Sequence, residues 1–101
     1  MTDKTVYKLI EALCADYSRR ERLINEHTLP LRQENELKYY NYKIYSAVAE
    51  IVGEDNARYM IDDIGAGRGY AKCEMADVSE RTYKRWKERA VTNIALKLYL
   101  K

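Results

Sequence analysis

The chain has 101 residues, 47 % of them hydrophobic and 34 % charged, with one proline and four glycines. The mixture excludes a disordered chain, and so few turn-formers exclude an all-β fold, which needs a turn about every 8–12 residues. The net charge of +2 conceals a split, because residues 1–65 hold nine Lys/Arg against twelve Asp/Glu while residues 66–101 hold nine against four.

An all-α protein is therefore expected, and its helices can be placed in order. The first predicted helix runs from about Asp3 to Ile24, with Thr2 or Asp3 as its cap. Val6, Leu9, Ile10, Leu13, Tyr17 and Ile24 recur at three- and four-residue steps and form one apolar stripe, which Arg20 interrupts. Pro30 disfavours helix at Leu29, so the element ends over His27-Thr28-Leu29-Pro30. A second helix is predicted over Leu31 to Val52, with Leu37, Tyr40, Ile44, Val48 and Ile51 inward and Gly53 as a left-handed cap. Two long helices joined by a short link make an antiparallel hairpin over residues 1–53. Its apolar face exceeds what one short partner covers, so oligomerisation, most simply a homodimer, is expected.

Residues 54–101 read as a separate helix-turn-helix unit. Asp55 is the expected cap of a helix over Asn56 to Ile64, with Ala57, Met60, Ile61 and Ile64 inward. A short helix is predicted over Tyr70 to Ala76. The last helix begins after Ser79 and extends toward Leu100, with Tyr83, Trp86, Ala90, Ile94 and Leu98 on its apolar stripe.

Few residues invite other chemistry. Cys14 and Cys73 match no CxxC spacing and the single histidine is His27, so no zinc set exists and no metal or cofactor is expected. Asp62-Asp63 and Glu34/Glu36 read as exposed acid pairs without a basic partner, and no nucleophile stands beside a base. An enzyme is not expected. Gly65-Ala66-Gly67-Arg68-Gly69 lacks the preceding strand of a phosphate-binding loop and reads as a connector from which Arg68 reaches a phosphate. Tyr39 and Tyr42 fall off the apolar stripe and are candidates for a subunit or partner interface. The N-terminal residues lack a signal-peptide pattern, and no apolar run approaches the ~20 residues that cross a membrane. A soluble cytoplasmic protein with no membrane partner is expected.

The segment Val78-Ser79-Glu80-Arg81-Thr82-Tyr83-Lys84-Arg85-Trp86 concentrates the functional signal. Ser79 is a natural N-cap. Tyr83 and Trp86 pin one face of the helix inward, so Arg81, Lys84 and Arg85 project outward with Glu80 and Lys87 at the edges. In a DNA-reading helix, residues near the N-terminus meet base edges while flanking cations meet phosphates. Arg81 and Arg85 suit bidentate contact with guanine. Lys84, Lys87 and Arg89 suit phosphates and would make binding salt-dependent.

The same stretch, continued through Lys87-Glu88-Arg89-Ala90, resembles the C-terminal helix-turn-helix of small phage regulators of the ArpU and RinA kind, which are related to sigma factor region 4. The resemblance is good over roughly residues 55–98 and faint over 1–54. It implies a phage or prophage transcriptional regulator whose DNA-facing positions are Ser79, Arg81, Thr82, Lys84 and Arg85. Lys72 departs from the apolar residue usual in the family, and Asp77 stands where a turn glycine is usual, a position in which Asp tolerates the left-handed conformation. The expected function is sequence-specific binding of duplex DNA through residues 70–90. Two other readings fit the pattern: a small terminase-like DNA-packaging component, or a module that docks onto RNA polymerase.

Overall fold

The computed structural model describes residues 3–75 and 77–99, and all regular structure among them is helical, as the composition requires. Helix α1 spans Lys4–Ala15 and is capped by Asp3, whose carboxylate accepts from the Thr5 amide at 2.8 Å. Thr2, the other candidate cap, lies outside the described residues.

The single helix predicted from Asp3 to Ile24 is two helices, because the chain breaks at Asp16 and resumes as α2, Tyr17–Glu26. The cause is Arg20, which does not interrupt the apolar stripe but occupies it, at 3 % exposure. Its Nε donates to Asn41 Oδ1 at 2.6 Å, Nη1 to Asp16 Oδ2 at 3.2 Å, and Nη2 to the Leu13 carbonyl. Asn41 in turn donates to the Tyr17 carbonyl at 3.2 Å. The guanidinium thus satisfies Leu13, a carbonyl left without its usual helical donor at the break.

His27, at φ 54°, ends α2 in the left-handed region. Helix α3 then spans Leu31–Val52, the predicted bounds. Its inner face is rotated from the predicted stripe: Asn41, Ile44, Ala47, Val48 and Val52 are buried, whereas Tyr40 is 39 % exposed. Glu34 is not an exposed acid without a partner. It is buried in the first turn of α3, where its carboxylate meets His27 Nδ1 at 2.9 Å and Lys38 Nζ at 3.2 Å. These bonds, the one to His27 foremost, hold its carboxyl below the usual carboxylate range.

Gly53, at φ 86°, makes a turn that a side chain would strain, and α4 follows over Glu54–Ala66. Asp55 lies inside the first turn rather than at the cap, where it and Glu54 complement the helix dipole. Ala57, Met60, Ile61 and Ile64 are fully buried, as their spacing predicts. Near the end of α4 a Cβ on Gly65 would come within 2.6 Å of the Ala15 backbone nitrogen and 2.8 Å of the Cys14 carbonyl carbon. The backbones of α4 and α1 therefore meet at the helix break.

Helix α5 spans Glu80–Lys97 and buries Tyr83, Ala90, Val91, Ile94 and Ala95. Asn93 Nδ2 donates to the Ala47 carbonyl at 2.8 Å and to Glu50 at 2.7 Å, and Lys97 pairs with Glu50 at 3.0 Å, so the second half of α5 is fastened to the second half of α3. One hydrophobic core draws on both sides of residue 53, from Val6, Ile10 and Ile44 to Ile64, Tyr83 and Ile94. Within it burial pushes the Cys14 thiol up to about 12, which keeps it protonated. Among the described residues no helix is long and apolar enough to cross a membrane.

Candidate nucleic-acid interface

The candidate site is built around the entry to α5. Asp77 adopts φ 56°, the left-handed conformation that Asp tolerates better than most side chains. Ser79 follows in extended conformation and caps α5: its Oγ accepts from the Thr82 amide at 3.2 Å and donates to Thr82 Oγ1 at 3.0 Å. Val78 and Trp86 pack against the core from either side of this cap.

What fixes the orientation of α5 is a buried polar cluster that local sequence patterns do not announce. Asp63, at 2 % exposure, accepts from the Tyr83 hydroxyl at 2.9 Å. Arg68 Nε stands 3.1 Å from the other Asp63 oxygen, close enough for an ion pair but not aligned as a hydrogen bond. The Arg68 amide donates to the Asp63 carbonyl at 2.9 Å, and the Arg68 carbonyl accepts from Lys87 Nζ at 2.7 Å. Burial, followed by the bond to the Asp63 carboxylate, pushes the Tyr83 phenol above its usual range. The last turn of α4, the connector and the first two turns of α5 are tied together by these contacts.

Two expectations change accordingly. Asp63 is no exposed acid lacking a basic partner, and Asp62 also has one, Arg58, at 3.3 Å. Arg68 and Lys87 are half-buried and also hold the connector, one beside the Asp63 carboxylate and the other through the Arg68 carbonyl. The signal for Asp63 was its place three residues after Met60, at the border of the inward face of α4.

The helix predicted over Tyr70 to Ala76 is also corrected. A single 3-10 turn forms over Tyr70–Lys72, after which Cys73 is extended. A helix this short has little stability of its own, and the segment is held by tertiary anchors instead. The Tyr70 hydroxyl donates to the Val78 carbonyl at 2.8 Å, the Tyr70 ring lies 5.8 Å from that of Tyr83, and Met75 is buried in the core. Cys73 Sγ accepts from the Met75 amide at 3.3 Å. Ala76, the predicted end of this helix, lies outside the described residues.

The outward face of α5 carries the remaining candidates. Glu80, Arg81, Lys84, Arg85 and Arg89 are exposed, and Thr82 is half-buried beside the cap. Lys84 pairs with Glu80 at 3.2 Å, one turn away, an exposed contact that a phosphate can displace at little cost. Glu88 is exposed on the same face, beside Arg85 and Arg89. No family model, curated protein or solved structure matches the chain.

The buried cluster gives a direct test. Tyr83→Phe keeps the ring and its packing but leaves a buried carboxylate oxygen without its donor. It is expected to lower stability by about 1.5–3 kcal/mol, the range for hydrogen bonds to charged groups. Urea denaturation checks this, and a wild-type midpoint would mean that the cluster does not hold α5.

Proposed function

We propose that the chain binds duplex DNA sequence-specifically through the outward face of α5, as a transcriptional regulator of phage or prophage type. The observation that carries this reading is the coincidence, on one exposed and rigidly held helix face, of Arg81, Lys84, Arg85 and Arg89 behind a Ser79 cap. Arg81 and Arg85 lie one turn apart near the helix start, where base edges are met in a major groove, and both are exposed. Lys84 and Arg89 flank them as phosphate contacts. Arg68 and Lys87 support the interface by fixing the helix. The resemblance of residues 78–90 to the ArpU and RinA regulators supports the same reading.

The test is selection of bound sites from random duplex DNA at two salt concentrations, followed by titration of variants on the enriched site. Arg81→Ala and Arg85→Ala are each expected to cost about 1–3 kcal/mol of specific binding, the value of a bidentate base contact. Lys84→Ala is expected to weaken all sequences alike and to reduce the salt dependence. Unchanged affinity in both arginine variants would sink the proposal.

A further inference from the structure

The N-terminal half of α3 bears an exposed strip, ahead in the chain of Ala47 and Glu50, the residues to which Asn93 and Lys97 of α5 are fastened. Two tyrosines stand on it side by side, Tyr39 at 47 % and Tyr40 at 39 % exposure. The rings of Tyr39 and Tyr40 meet edge to face at 5.6 Å, and Lys43 Nζ lies 5.6 Å from the Tyr39 centroid. Single exposed apolar residues are ordinary, but clustered rings mark association surfaces, where tyrosine contributes large area at low entropic cost. Two charges flank the cluster, Glu36 before it and Lys43 after it. They are separated by two helical turns and so share one face, and neither has an ion-pair partner among the described residues.

We propose that this strip joins two copies of the chain, with their α3 helices antiparallel across a two-fold axis near Tyr39 and Tyr40. The charges choose the direction. A parallel pairing sets Glu36 against Glu36 and Lys43 against Lys43, which repel. An antiparallel pairing sets each Glu36 opposite the second copy's Lys43, giving two equivalent ion pairs on either side of a tyrosine centre. Such a surface is self-complementary, as a closed dimer interface requires. The inner face of α3, with Asn41, Ile44 and Val48, stays in the core of each copy.

The proposal is independent of the DNA reading, because its test contains no nucleic acid. The mass of the full chain is measured by light scattering and sedimentation across a concentration series at low salt, and twice the chain mass is expected. Glu36→Lys and Lys43→Glu, each alone, replace both attractive pairs with repulsive ones and should raise the dimer dissociation constant by about tenfold or more. The double variant E36K/K43E regenerates the pairs with reversed sign and should return the constant to near the wild-type value. That rescue separates a lost contact from a lost fold. A monomer at every concentration, a dimer indifferent to both single variants, or failure of the double variant to recover would overturn it. So would a monomer that instead binds single-stranded oligonucleotides in a manner abolished by Tyr39→Ala, which would make the tyrosines a base-stacking surface.

Discussion

Arg20→Ala is expected to lower stability by about 3–5 kcal/mol, the range for removing one partner from a buried charged network. The substitution leaves Asn41 Oδ1 and the Leu13 carbonyl without donors inside the protein, and it opens a cavity where the stem of the arginine packed. For a domain of this size the melting temperature should fall by more than about 12 °C. Arg19 supplies the control. It also pairs with Asp16, at 2.5 Å through Nε and 2.7 Å through Nη2, yet its side chain is 54 % exposed. Arg19→Ala should therefore melt close to wild type. Equal losses in the two variants would show that burial is not what makes Arg20 matter.

Gly65→Ala should destabilise by about 2 kcal/mol, although alanine is the better helix former by about 1 kcal/mol. Overpacking wins because the three atoms nearest the new methyl are backbone atoms of Cys14 and Ala15, at 2.6–2.8 Å, and none of these is a side-chain atom that could rotate away. Helices α1 and α4 would have to separate, loosening the core around Ile10, Cys14 and Ile61. Gly69→Ala is the comparison, since a Cβ there meets nothing within 4 Å and the φ of –105° suits any residue. Thermal unfolding of the pair decides the point. A Gly65→Ala protein as stable as Gly69→Ala would mean that the two helices are not in close contact.

What could be read in the sequence was whatever depends on near neighbours. The bounds of α3 follow from Pro30 and Gly53, the start of α5 from Ser79, and the inward face of α4 from the spacing of four apolar residues. What escaped depends on partners distant in the chain. Nothing within a turn of Arg20 shows that Asn41 awaits it, so a residue of the core read as a gap in the stripe. The same is true of Asp63, whose donor is Tyr83, and of Lys87, whose acceptor is the Arg68 carbonyl. Lysines and arginines on a basic helix look alike in sequence, and only the packing sorts those that brace the connector from those that face outward. The segment 70–76 was misread for a related reason. Its residues have acceptable helical character, but the anchoring of Tyr70 and Met75 outweighs so weak a preference.

That anchoring has a consequence for how such a protein can diversify. Between the fixed points at Tyr70 and Met75, Ala71, Lys72 and Glu74 are exposed. The tilt of α5 is set elsewhere, by Asp63 and Tyr83 and by the fastening to α3. Lengthening a loop whose ends are already held costs little, about 0.6 kcal/mol for each doubling. The arm leading into α5 is thus free to gain or lose residues over generations, and with them new contacts beside the helix, while the helix itself keeps its place.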